Sequence, residues 1–236
     1  MANQHISSAY DRDLEAITTL IMKMGGLVEQ AILDAAEALS KRDTDLAERV
    51  RKGDKAIDRL EVEINEAAAR TIALRAPVSK DLRTVLTVLR LTAALERVGD
   101  YAKNIAKRTS VLADMPAIDG AEAALRRMAR EVQGMLRETL DAYTRGDADM
   151  AEDVRQHDHE VDQMYNALFR EFLTYMMEDP RNITACMHLH FVAKNIERMG
   201  DLTTNMAEQV IYLVTGEMPD EARPKSDRTA FATEPE

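Results

Sequence analysis

The chain of 236 residues has one cysteine, six prolines, nine glycines and no tryptophan, and aromatic residues make up only 4%. A single thiol, Cys186, excludes an internal disulfide and fits a reducing compartment. So few glycines and prolines argue against an all-β fold, whose many turns use both. With few rings to bury, the core must be aliphatic, drawn from Leu, Ile, Val, Ala and the 14 Met. No uninterrupted apolar run approaches the roughly 18 residues needed to cross a bilayer. Met1 to Tyr10 lack the basic-then-apolar order of a secretion signal. Membrane insertion and secretion are therefore not expected. Basic residues are outnumbered, 31 Lys and Arg against 42 Asp and Glu, for a net charge of −11. That balance disfavours general binding to nucleic acid, which needs clustered cations, and to anionic lipid. There is no P-loop, Gly-rich dinucleotide turn, nucleophile elbow or zinc-spaced cysteine set. No catalytic residue is nominated, and the chain is read as a non-enzyme.

What is present is helical periodicity. Apolar residues recur at spacings of three and four between a few breaks, and Pro77, Pro116 and Pro180 sit at those breaks. Six helices are predicted: Ser8–Ser40, Thr44–Leu74, Ser79–Ala113, Gly120–Tyr143, Asp147–Met177 and Arg181–Val214. Gly25-Gly26 is a candidate bend in the first. Asp43 and Asp147 are candidate N-caps. Residues 217–236 carry Pro, Asp, Glu, Ser and Lys without periodicity and read as a disordered tail.

The two halves repeat. Glu96-Arg-Val-Gly-Asp100 returns as Glu197-Arg-Met-Gly-Asp201, an offset of 101 residues (197 − 96). Asp43-Thr-Asp-Leu-Ala-Glu-Arg-Val returns as Asp147-Ala-Asp-Met-Ala-Glu-Asp-Val, an offset of 104 (147 − 43). The fold class expected is therefore all-α, two tandem three-helix bundles related by internal duplication. The first unit is placed at 1–115, the second at 116–216 and the tail at 217–236.

Each half carries two acidic pairs at i, i+4: Asp54/Asp58 with Glu96/Asp100, and Asp158/Asp162 with Glu197/Asp201. On a helix this spacing stacks two carboxylates on one face. Glu61 extends the first pair by a turn. The plain alternative for any one pair is a solvated charged face. Against it, Leu82, Leu86, Leu89 and Ala93 form a line that Glu96, Asp100 and Asn104 continue. Ile183, Met187 and His190 lead likewise into Glu197, Asp201 and Asn205. Carboxylates in line with an apolar stripe call for a counter-ion. The second and third helices of each unit are expected to be antiparallel, which could bring the pairs face to face. A bound cation would relieve the repulsion; Arg59, Arg97, Arg198 or protonation are competing solutions. All-oxygen donors favour Mg²⁺, Mn²⁺, Ca²⁺ or oxidised iron over a closed zinc site. Gly99 and Gly200 stand where a di-iron Glu-x-x-His motif would need histidine. Asn104, Asn205 and His190 are accessory candidates, although a buried, hydrogen-bonded role suits His190 better.

These residues, together with Arg75-Ala-Pro-Val-Ser-Lys-Asp-Leu-Arg83, Met22-Lys-Met-Gly25, Tyr10-Asp11 and Asp179-Pro180, resemble the PhoU family over residues 5–215. The resemblance implies tandem three-helix bundles whose Glu/Asp-x-x-x-Asp motifs bind metal ions (Mg, Mn, Fe or Zn). Carried over, the ligands are Asp54, Asp58, Glu96 and Asp100, then Asp158, Asp162, Glu197 and Asp201. Glu61 would be a further ligand, and Tyr165 stands at its second-half counterpart. The resemblance also implies a cytoplasmic homodimer that acts in phosphate homeostasis and signal transduction. It would restrain the phosphate-starvation response through the sensor histidine kinase PhoR and the transporter ATPase PstB, meeting membrane only through them. Two other readings compete: a metal-dependent phosphohydrolase, and a metal-free helical interaction module.

Overall fold

The computed structural model describes residues 2–219, with side chains from residue 9 onward, and the described residues form six α-helices. They are α1 (Ala2–Lys41), α2 (Thr44–Arg75), α3 (Ser79–Leu112), α4 (Ala121–Arg145), α5 (Ala148–Glu178) and α6 (Ile183–Thr215). A 3₁₀ turn, Pro180–Asn182, leads into α6. There is no strand among the described residues. The expected tail falls mostly on residues 220–236, outside the described residues.

The helix ends follow local chemistry. Asp43 accepts the Leu46 N–H at 2.8 Å, and Asp147 accepts that of Met150 at 3.0 Å. Both caps satisfy amides that a helix leaves without partners. The residue before each cap is left-handed: Gly146 at φ 64° and its repeat equivalent Arg42 at φ 55°. Arg42 tolerates that conformation while its guanidinium spans to the far connection. It donates to the Met115 carbonyl oxygen at 2.5 Å and to Glu122 at 3.3 Å. The α2–α3 turn is Ala76-Pro77-Val78, with Ala76 at φ 44°.

Helices α1–α3 form one three-helix unit and α4–α6 the other. Across the seam α1 packs on α4, and α3 packs on α6, while α2 and α5 lie outside. The buried side chains form one continuous core, running from Ile21, Leu91 and Leu95 to Leu125, Leu136 and Phe172. Gly25-Gly26 lies within uninterrupted helix rather than at a break. A Cβ on Gly25 would collide with Leu140 Cδ1, so this glycine permits a close approach of α1 to α4. By length and composition α1 is the one helix among the described residues that could cross a membrane. This differs from the expectation based on unbroken runs. Its apolar residues Ile17, Ile21, Met24, Val28 and Ile32 recur at spacings of three and four and are buried in the bundle.

Candidate functional site

The motif glycines bring the acidic residues together. A Cβ on Gly99 of α3 would lie 3.0 Å from Ile57 Cδ1 and 4.0 Å from Asp54 Oδ1 of α2. A Cβ on Gly200 of α6 would lie 3.4 Å from both Asp158 Oδ1 and Val161 Cγ1 of α5. Each Glu-Arg-x-Gly-Asp segment therefore sits against the facing Asp-x-x-x-Asp segment because its glycine has no side chain. The result is an acidic groove between α2 and α3, repeated between α5 and α6.

In the first groove Asp54 is the floor, at 6% exposure, whereas Asp58 is exposed and Glu61, Glu96 and Asp100 are half-buried. The carboxylates feel one another. Lost hydration, then the charges of Asp100, Glu61, Asp58 and Asp54, push the Glu96 carboxyl above its ordinary range. Lost hydration and the charge of Asp54, followed by the smaller push of Asp100, raise Asp58 as well, against the pull of Lys103. Asn104 is exposed one turn beyond Asp100.

The second groove is more closed. Asp158, Asp162 and Glu197 are 4–5% exposed, and Asp201 is half-buried. Tyr165, in the place of Glu61, is buried; its ring stacks on His190 at 6.0 Å and lies under Lys194 Nζ at 4.8 Å. His190 also meets Phe169 at 5.4 Å and Phe191 at 6.0 Å, in an aromatic cluster at the end of the groove. Asn205 is exposed.

Two details depart from the sequence reading. The line Leu82, Leu86, Leu89, Ala93 is not the buried stripe: Leu86 and Ala93 are exposed. The buried line lies one residue earlier, through Val85, Val88, Thr92, Leu95 and Gly99. On α6, Ile183 and Met187 are likewise exposed, whereas Cys186, Leu189, Ala193 and Ile196 are buried. Glu96 and Asp100 thus flank the core instead of continuing it. Burial also pushes the Cys186 thiol up, as befits inert core. The counter-ions differ too. Arg97 and Arg198 are exposed, and Arg59 Nε donates to the Lys55 carbonyl oxygen. Two lysines that sequence reasoning missed enter the grooves. Lys103 Nζ lies 2.5 Å from Asp54 Oδ2 and 3.2 Å from Asp100 Oδ1. Lys194 Nζ lies 2.8 Å from Glu197 Oε1. Both stand three positions from a motif acid, Lys103 after Asp100 and Lys194 before Glu197, so i, i+3 spacing was the signal available.

Among the described residues, no three His, Cys, Asp or Glu side chains are close enough to share one metal ion. The donors nevertheless suit a hard cation, since all are carboxylates. Two of them, from different helices, already converge on the Lys103 ammonium, a stand-in positive charge.

The model of the family described as "PhoU domain" matches twice, over residues 21–109 and 125–210. The chain belongs to the PhoU family. The two matches contain the two grooves. A "phosphate-specific transport system accessory protein PhoU homolog" of Rhizobium meliloti is 45% identical over 98% of this chain and 97% of its own. The PhoU of Escherichia coli is 41% identical over 91% of this chain and 89% of its own. The crystal structure of PhoU from Pseudomonas aeruginosa superposes with a TM-score of 0.85 at 39% identity, over 88% of this chain and 100% of that one. That of the phosphate transport system regulatory protein PhoU from Streptococcus pneumoniae gives 0.82 at 30% identity, over 90% and 100%. Membership supports a role in the regulation of phosphate transport, and the family's accessory role is consistent with a non-enzyme.

Proposed function

We propose that this chain is a cytoplasmic regulatory adaptor that restrains the phosphate-starvation response when phosphate is plentiful. It would do so by contacting a sensor histidine kinase and the ATPase of the phosphate transporter, as a homodimer. The observation that carries this reading is the near full-length match to phosphate-transport accessory proteins, with both halves of the repeat present. Deleting the gene in its own host is expected to raise alkaline phosphatase expression in high phosphate, and re-expression to restore repression. Unchanged expression refutes the reading.

Within it, the acidic grooves are cation sites. Asp54, Asp58, Glu61, Glu96 and Asp100 would hold the first ion or ions, and Asp158, Asp162, Glu197 and Asp201 the second. A bound Mg²⁺, Mn²⁺ or Fe³⁺ would supply compact positive charge that joins α2 to α3, or α5 to α6. The support is the lost hydration and, after it, the neighbouring carboxylate charges that raise Glu96 and Asp58. Mn²⁺ added to protein purified without an affinity tag should raise the melting temperature, because it binds the folded state. A second reading is favoured by the lysines: Lys103 and Lys194 serve as permanent counter-ions, and the adaptor works without metal. Absence of Mn²⁺, Fe³⁺ and Mg²⁺ binding would select it.

A further inference from the structure

We propose that the exposed face shared by α3 and α6 docks an acidic amphipathic helix of a partner protein, held by the arginine of each Glu-Arg-x-Gly-Asp motif. This role rests on the adaptor reading above and deepens it by giving the partner's chemistry.

The motif acids border the outer helices α2 and α5, whereas the motif arginines stand elsewhere. On α3, Arg90, Arg97, Asn104 and Val111 follow one another at steps of seven residues, and all four are exposed. Seven residues are nearly two turns, so they form one line along the helix. Phe191, Arg198, Asn205 and Tyr212 form the equivalent line on α6, displaced by the offset of the motif itself (198 − 97 = 101). Neighbours of the two lines meet across the helix pair. Arg108 lies over the Phe191 ring at 4.5 Å and donates to His188 Nδ1 at 3.2 Å. Arg90 donates to Gln209 at 2.6 Å, and Arg83 lies over the Tyr212 ring at 5.5 Å. Arg97 and Arg198 fall between these contacts, on the same face.

The face is basic in a chain whose net charge is −11. Neither line contains an acidic residue. Among the described residues, none of Arg83, Arg90, Arg97, Arg108 and Arg198 is paired with a carboxylate. Such arginines keep donors for an incoming carboxylate, which their planar fork takes through both oxygens. Leu86, Val111 and Phe191 add apolar surface beside them, each more than 40% exposed. The width of the stripe selects the occupant. Acidic grooves flank it on both sides, α2/α3 and α5/α6. A lipid surface or a nucleic-acid duplex would overlie the grooves as well and meet their repulsion. A single helix, about 10 Å across, fits the furrow between α3 and α6 without covering them. Its rise over seven residues, about 10.5 Å, equals the step from Arg90 to Arg97. The fitting partner therefore carries Asp or Glu at heptad steps and apolar residues in the turns between.

The probe is a fluorescein-labelled helical peptide as long as the stretch Arg83–Arg108, with Glu at seven-residue steps and Leu one turn from each. A second peptide has the same composition in scrambled order. By fluorescence anisotropy the full-length chain should bind the ordered peptide at least about tenfold more tightly than the scrambled one. Arg97→Glu with Arg198→Glu should lose at least about tenfold in affinity for it. Arg127→Glu with Arg130→Glu, an equal charge change at exposed positions of α4, should bind as the wild type does. Equal binding of the two peptides, or equal loss in the two variants, overturns the proposal. Tighter binding to phosphatidylglycerol vesicles or to a DNA duplex than to the ordered peptide overturns it in favour of lipid or nucleic acid. If the charge-reversed chain is unfolded by circular dichroism, Arg97→Gln with Arg198→Gln takes its place, and unchanged affinity there overturns the proposal. In the host, the charge-reversed chain should leave alkaline phosphatase high in a deletion strain. Full repression by that chain overturns the docking role and leaves the adaptor reading intact. A deletion strain with unchanged phosphatase overturns the adaptor reading, and the peptide measurements then decide the docking face by themselves.

Discussion

Single residues in this protein set how close two helices come and how much charge the gap holds. Gly99 and Gly200 have the same task. Gly99→Val would push into Ile57 and Gly200→Val into Val161, and overpacking of this kind costs about 1–3 kcal/mol. Urea unfolding should show that loss in both variants. Burial and, after it, charge crowding give a second expectation. The folded-state value of Glu96 is raised, so the folded chain prefers this carboxyl protonated. The associated stability is complete at pH below the unfolded carboxylate value and disappears as pH climbs through the raised one. In chelator, Glu96→Gln should therefore exceed the wild type in melting temperature at pH 7 and match it in acid. A variant no more stable than the wild type at pH 7 would show that neither burial nor crowding strains this position. The acids were legible in the sequence because they are duplicated. Lys103 and Lys194 were not, because each occupies a different place in its repeat, and a lone lysine on a helix reads as a solvated side chain. The buried line of α3 was misplaced by one residue, about 100° of rotation. The wide contact of α3 with α1, α2 and α6 made its apolar arc broad enough for either line to look central.

Helices and their ends were the most legible level. Periodicity located all six, and Asp43 and Asp147 cap as expected because aspartate at that place can reach the third amide of the helix. The two caps occupy equivalent positions in separate units, so Asp43→Ala and Asp147→Ala should each cost about 1 kcal/mol, and the double variant should show the sum. Chemical denaturation of the three variants checks this. Ala76 presents the opposite case. It holds a left-handed conformation that glycine adopts without strain. Ala76→Gly should be neutral or stabilising, by up to about 1 kcal/mol. A loss of stability there would mean that unfolded-chain entropy outweighs the relief.

At the scale of the molecule, the duplication read from sequence is correct as architecture, but the halves are not independent beads. The seam where α1 meets α4 and α3 meets α6 was invisible in the sequence, because an apolar residue does not declare which neighbour it serves. Leu136 lies in the shared core and is fully buried. Leu136→Ala should cost about 2–5 kcal/mol. It should lower the unfolding of both halves together, as one calorimetric transition. Two separate transitions, with only the second shifted, would refute the shared core.

The segment between α3 and α4 has a consequence of its own. Arg42 grips the Met115 carbonyl, the Tyr175 hydroxyl donates to that of Asp119 at 3.2 Å, and Ile118 is tucked inside. A stretch fastened from both ends of the molecule is a poor substrate for thermolysin, which needs accessible, loosely held strand. It is also a poor place for an inserted fluorescent or affinity module. The two halves are thus tied by this anchored segment as well as by their common interior.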